Sequence, residues 1–395
     1  MSPANRPYLH ALDLMRVFFI CGVLLNHTTT AFIQQLSSAS AARTALLGTH
    51  LTIHFTRMGF MFLTGYVLTY RYRGTRRWGH FFARRFTATG LPYLAWNTLY
   101  LALAALGGGE LAYLSRNAAA ALLHGNQFYM YYLVITFQFY LALPLVLRLF
   151  ERVSHHGWLL GVSFLLQLAV VFWIKYVMPG VDRSQWLWWC RAYGINCLSY
   201  QFYLLLGTYA SFHRAAFTAW CQRHLAALTA WAVGLGILTV PYYFLNKSLL
   251  GLDHTHAVSP HQPFMLVYDT VVILAVLGWA ERGAAGRGSW PRWLSRLIHL
   301  GGLASFGVYL DQTLVLAVLR GALTAAALPD WALVAALPLG YAAVVAASFA
   351  LAWALLRLRP LAWLGGRPAW QAADYPEQVV GASDRIVTVK PQSER

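Results

Sequence analysis

Charge is the scarcest property of this chain: 11% of its 395 residues are Asp, Glu, Lys or Arg, where a soluble domain carries about 25%. Acidic residues are the rarer kind, 13 against 30 basic ones. So few charges cannot solvate the surface of a globular domain of this length, and a water-soluble fold is excluded. Cysteine is sparse as well. Cys21, Cys190, Cys197 and Cys221 form no CxxC pair and match no zinc spacing, which leaves a Cys190 to Cys197 bridge as an unfavoured option. An internal repeat is missing too, and this counts against a transporter assembled from two related halves.

Apolar residues fill the space that charge leaves, at 58% of the chain, with 15% aromatic. The net charge of +17 is almost all arginine, and it falls in the gaps between apolar runs, where membrane topology puts basic residues. Nucleic acid is therefore a poor explanation of the charge. The first apolar run, with Arg6 and Arg16 ahead of it and Ala39-Ser40-Ala41 behind it, has the outline of a signal peptide. Leu12 to Phe32 is long enough to span a bilayer, however, and it carries Arg16, Asn26 and His27, which a disposable segment has no use for.

A hydrocarbon core about 30 Å thick needs roughly 20 mostly apolar helical residues. Ten runs qualify: 12–33, 49–70, 90–106, 128–150, 158–178, 196–212, 225–245, 264–280, 300–319 and 331–357. One set of alternate gaps holds eighteen basic residues, including all six arginines between Arg71 and Arg85, and the other set holds six. By the positive-inside rule both termini are then cytoplasmic. Trp186, Trp188 and Trp189 on the outer side, and Trp290 and Trp293 on the inner, suit the two interfaces. The expectation is an all-α, polytopic integral membrane bundle of about ten transmembrane helices over residues 1–366. A flexible cytoplasmic tail follows over 367–395, where Pro368, Pro376, Gly381 and Pro391 stand among polar residues.

Ionisable groups inside a span are costly and mark function. In the first run Arg16 and His27 are eleven residues apart, about three helical turns, so they share one face and lie roughly 16 Å apart along the axis. Asp13 is one turn before Arg16 and can pair with it. His50, His54 and Arg57 follow at i, i+4 and i+7 in the second run, and His54 falls at nearly the depth of His27. A two-histidine metal site fits the spacing of His50 and His54, but no third ligand on that helix completes it. Asn97, Gln138, Asp269, Asp311 and Gln312 fall within other spans and are candidates to line a cavity. Asp253, His254, His256 and His261 cluster in an outer loop, where solvated histidines are commoner than a metal site.

Arg-x10-His in a first helix resembles the signature of the membrane acyltransferase-3 family, and Arg16 and His27 match it. Phe60-Met61-Phe62-Leu63-Thr64-Gly65-Tyr66-Val67-Leu68 is similar to the family's second-helix pattern. Phe82-Ala83-Arg84-Arg85 with Pro92-Tyr93 resembles its basic loop, and Ser305-Phe306-Gly307-Val308-Tyr309-Leu310 its late-helix motif. The chain differs where Asp311-Gln312 follows Tyr309-Leu310, since the family often has a histidine there. It also has Ala88 three residues after Arg85 in place of a second arginine, although Arg73 and Arg76 do have Arg-x-x-Arg spacing.

The resemblance implies an O-acyltransferase that moves an acetyl or similar short acyl group from cytoplasmic acyl-coenzyme A to a hydroxyl of an extracytoplasmic glycan or glycolipid. It implies the bacterial cytoplasmic membrane as the location. His27 is then the general base, because a positioned neutral imidazole can take the proton of an attacking hydroxyl. Arg16 contacts the donor or its transition state. Arg73, Arg76, Arg84 and Arg85 suit the phosphates of coenzyme A, since guanidinium groups bind phosphate bidentately. His54, Arg57, Asp311 and Gln312 are candidates for holding the acceptor or the oxyanion. No metal and no permanently bound cofactor is required; the partners are lipid, acyl-coenzyme A and the acceptor. Two other readings stay open: a transporter or flippase for a glycan or lipid-linked sugar, and a non-catalytic partner in polysaccharide export.

Overall fold

The structure, a computed structural model, describes residues 7–108 and 112–366, which are helical with no strand among them. In chain order the helices are α1 (His10–Ile33), α2 (Ala41–His50), α3 (Phe55–Tyr72), α4 (Trp78–Gly108), α5 (Ala112–His124), α6 (Tyr131–Arg152), α7 (His156–Phe172), α8 (Trp188–Arg191), α9 (Gln201–Phe212), α10 (Arg214–Arg223), α11 (Leu225–Ser248), α12 (His254–Ala257), α13 (Pro263–Ala285), α14 (Arg292–Ala326) and α15 (Asp330–Arg357). A short 3-10 segment, Arg359–Gly365, closes the described chain. The tail expected from residue 367 lies outside the described residues.

Among the described residues seven helices are long and apolar enough to cross a bilayer: α1, α6, α7 with its continuation to Gly180, α11, α13, α14 and α15. Helices suit this setting because they satisfy every backbone donor and acceptor internally, where lipid offers no partner. Burial sorts them. More than half of the apolar window is buried in α13 and α14 and half in α1, against less than a third in α7, α11 and α15. The first three therefore form the centre, and the last three turn Leu165, Ile237 and Leu339 outward. Exposed apolar side chains of that size belong against acyl chains.

Each of the other three expected spans contains a helix of a different kind. The run over 90–106 is part of α4, which starts at Trp78, so Arg84 and Arg85 sit on helix and not in a loop. The run over 49–70 is interrupted. α2 ends at His50, a 3-10 turn covers Leu51–Ile53, and α3 begins at Phe55, so His50, His54 and Arg57 do not share one continuous α-helix as their spacing suggested. The run over 196–212 yields only twelve residues of α-helix, α9, and these are mostly buried.

α3 packs closely along α9. A Cβ added at Gly65 would lie 2.2 Å from the Leu204 carbonyl oxygen, and one at Gly207 would lie 2.1 Å from that of Phe62. Two backbones can approach this closely only where neither carries a side chain, which is how small residues bring helices together in membranes. Thr69 donates to Thr208 at 3.1 Å across the same crossing. Phe19, Phe62, Tyr66, Phe139, Tyr200 and Tyr203 fill the space around it and join α1, α3, α6 and α9 in one apolar core.

Candidate active site

The bundle holds a cavity of about 490 Å³. One wall is α1, where Arg16, Val23 and His27 recur at intervals of seven and four residues and so face the same way. α3, α4, α6 and α14 supply most of the remainder, and Gly365 and Gly366 also line it. Trp96 holds that segment by donating to the Leu364 carbonyl at 3.0 Å. Arg16, Arg57 and Arg85 line the cavity, and no carboxylate does among the described residues.

At the end nearer the start of α1 stands Arg16, half-buried, with one guanidinium N–H donating to Asp13 at 3.2 Å. Asp13 is fully buried, and its two oxygens also accept from Tyr8 at 2.7 and 2.9 Å and from His299 at 2.9 Å. Arg85 lies 5.1 Å over the Tyr72 ring and faces the same cavity. The expected pairing of Arg16 with Asp13 and its exposure to a binding space thus hold together in one side chain.

At the far end the His27 ring stacks on Tyr129, with centroids 3.5 Å apart and planes 22° from parallel. His27 makes no hydrogen bond to the described residues, so stacking holds the ring while its nitrogens stay available. The backbone before α6 makes this contact. Phe128 has φ of 53°, a left-handed conformation that a bulky residue rarely adopts, and Tyr309 donates to the Tyr129 carbonyl. His54 bonds through Nδ1 to the His50 carbonyl at 3.1 Å, where the break between α2 and α3 turns it toward the cavity. Arg57 donates to the Tyr200 hydroxyl at 3.3 Å and sits 5.1 Å over the Tyr131 ring.

Arg16, His27, His54, Arg57 and Arg85 therefore share one cavity; the other expected site residues do not line it. Adjacent helix positions point about 100° apart, so on α4 the cavity takes Arg85 while Arg84 faces out. Arg73 follows the end of α3 and lies 3.9 Å over the Phe212 ring, and Arg76 is exposed. On α14 the cavity face is Gly302, Ser305, Phe306 and Tyr309. Asp311 points elsewhere and is buried, and the Gln312 amide turns back to donate to the Tyr309 carbonyl at 2.9 Å. Nor do Asn97, Gln138 and Asp269 line it. Gln138 instead accepts from Trp189 and from the Cys197 backbone, and Asp269 accepts from Tyr203. Of the outer-loop group, His256 bonds Asp253 at 2.7 Å, whereas His261 is buried between the rings of Tyr193 and Tyr200. All four cysteines are free thiols.

Tyr8, Tyr129, Tyr131 and His299 are part of this arrangement without standing out in the sequence. The aromatic cluster at 128–132 was visible, but inside a run read as one span it carried no distinct signal. His299 stood just before the expected start of the ninth span, and α14 begins seven residues earlier. His10, Asp13 and His299 bring possible ligand atoms within 4.8 Å of one another. Arg16 bonds Asp13, and Arg287 lies 2.7 to 2.8 Å from the His10 nitrogens. Two guanidinium groups at a site this small oppose a divalent cation.

A multi-helix membrane bundle with an imidazole and guanidinium groups facing one cavity holds the parts that a membrane-embedded group-transfer enzyme uses. The family model for the acyltransferase domain of acyltransferase family 3 matches residues 9–357, nearly the whole chain. The chain belongs to that family and is an integral membrane acyltransferase. Comparisons with curated proteins and with solved structures return no match. Gly365 and Gly366, which line the cavity, fall beyond the matched residues.

Proposed function

We propose that this acyltransferase takes a short acyl group from cytoplasmic acyl-coenzyme A and places it on a hydroxyl of an extracytoplasmic glycan or glycolipid. The observation that carries the reading is the single cavity with Arg16 and Arg85 at one end and His27, His54 and Arg57 at the other. The acceptor oxygen attacks the thioester carbonyl and His27 takes its proton; the C–S bond then breaks, and the thiolate leaves with that proton. Arg57 faces the carbonyl oxygen as it gains negative charge, with His54 holding the acceptor beside it. Arg16 and Arg85 hold the donor, and Arg73, Arg76 and Arg84 form the basic approach on the same side.

In this reading the chain crosses a bacterial cytoplasmic membrane about ten times, with α3, α4, and α9 together with the 3-10 turn Cys197–Tyr200 that leads into it, completing the seven longer spans. Both termini are cytoplasmic, and residues 1–366 form one domain with a cytoplasmic tail. The test is transfer of label from acetyl- or succinyl-coenzyme A by purified protein in the presence of cell-envelope extract. Wild type should label an acceptor, and a His27→Ala variant of equal thermal stability should not. Full activity in that variant would remove His27 from the chemistry, and no transfer by wild type from any donor would remove the coenzyme A reading.

A further inference from the structure

His299 reaches the donor end of the cavity without lining it. Its Nδ1 lies 2.9 Å from Asp13 Oδ2, and the other carboxylate oxygen of Asp13 accepts from Arg16 at 3.2 Å. α14 can press this close to α1 because Gly302 has no side chain: a Cβ there would lie 2.8 Å from Asp13 Oδ1. Tyr8 donates to both oxygens of the same carboxylate and also lines the cavity. Asp13 thus has three side-chain donors on three separate segments: the stretch before α1, α1 itself and α14. Its position, and with it that of the Arg16 guanidinium, depends on all of them.

The geometry points to His299 as a positioning residue for acyl-donor binding, which acts by fixing Asp13 and through it the Arg16 fork. This rests on the proposed coenzyme A donor. A guanidinium on an unbranched stem has many rotamers, and holding it in one geometry lowers the entropy lost when a phosphate binds. Without His299 the carboxylate keeps Tyr8 and Arg16, both at the start of α1, and loses the one donor that ties it to α14. Removal of His299 leaves Asp13 fully buried with one donor fewer, and the carboxylate then competes for Arg16 in whatever geometry compensates it. Nothing at the His27 end is touched, so the effect belongs to the donor alone.

The experiment measures binding of coenzyme A to the full-length protein in detergent by equilibrium dialysis, with thermal stability recorded for every variant. Arg16→Ala, His299→Ala, His299→Asn and the Arg16→Ala/His299→Ala double variant are compared with wild type. Asn is the rescue, because its amide N–H falls near the place of Nδ1. His299→Ala should weaken binding about tenfold, as expected for one member of a coupled polar network. His299→Asn should stay within about threefold of wild type, and the double variant should be no weaker than Arg16→Ala. Wild-type affinity in His299→Ala, or a further tenfold loss in the double variant, would overturn the coupling to Arg16. If His299→Ala does not fold, weak binding in a stable His299→Asn overturns it equally. Absence of binding by stable wild-type protein would remove the donor reading and this inference with it, whereas binding weakened only by Arg16→Ala would remove this inference alone.

Discussion

Substitution of Gly65 by Ala tests the link between the α3–α9 crossing and the cavity. The added methyl would stand 2.2 Å from the Leu204 carbonyl oxygen and 3.1 Å from the Leu204 Cα. Both are backbone atoms, so no rotamer change relieves the clash. Ordinary contact begins near 3.4 Å, and the two helices must part by roughly 1 Å. A gap of 0.5 to 1 Å forfeits a quarter to a half of each dispersion contact across it, and the contacts at stake include Phe62, Tyr66, Tyr203 and Leu204. Overpacking of this kind costs about 1 to 3 kcal/mol, and the upper end applies where backbone must move. Leu63, Thr64, Val67 and Leu68 line the cavity from the same helix, and a displacement near 1 Å can reduce turnover by about a hundredfold. Thermal unfolding in detergent and acyl transfer by Gly65→Ala are the assays. Gly207→Ala should behave alike, since its Cβ meets the Phe62 carbonyl oxygen at 2.1 Å, and the pair should cost less together than the sum, because the first substitution already parts the helices. A Gly65→Ala protein with wild-type stability and activity would refute the crossing, and strict additivity would refute its being one contact.

His27→Ala should lower transfer by about 10²- to 10⁴-fold, the range for a general base, while leaving coenzyme A affinity unchanged; loss of both together would mean that the variant had disturbed the fold. Lys175, buried with its ammonium 2.6 Å from the Tyr242 hydroxyl, Asn246 Oδ1 and Gln262 Oε1, staples α7, α11 and the start of α13. Lys175→Met should destabilise by about 2 to 4 kcal/mol: hydrogen bonds of a charged donor contribute about 1.5 to 3 each, and relief of ammonium desolvation offsets part of the loss. An unchanged melting temperature would show that desolvation cancels the three bonds. His261 lies outside the long apolar spans, and burial, reinforced by Arg57, holds its imidazole down to about 3. Below its ordinary value of 6.5 the unfolded chain takes up a proton that the folded one refuses. Stability should therefore fall on acidification from pH 6.5, at up to about 1.4 kcal/mol per pH unit, and be level in this term above it. His261→Gln should lose that slope; an identical profile in denaturant titrations at pH 7 and 5.5 would place the imidazole in contact with solvent.

The sequence by itself determined that this chain lives in lipid and is helical, because 11% charge and long apolar runs allow nothing else. It also placed Arg16 and His27 on one face, since an uninterrupted α1 has a fixed period and both residues do line the cavity. Its motifs carried the family as well, through side chains that recur in that family at fixed spacing. What lay beyond reach was the choice among polar residues of equal chemical merit. Arg84 and Arg85 are the same residue type and adjacent in sequence, and only the way α4 packs against its neighbours turns Arg85 inward with Ala88 and Thr89. Asp311 and Gln312 stand in a span beside cavity-lining residues, yet the rotation of α14 turns the first away and a bond to the Tyr309 carbonyl folds back the second. His54 reaches the cavity from a break that no local propensity announced. His299 meets Asp13 across 286 residues of chain because Gly302 lets two helices touch. Periodicity and hydropathy are properties of a segment, whereas rotation about a helix axis, breaks between helices and close crossings are set by what packs against it, and so the tertiary structure alone decided them.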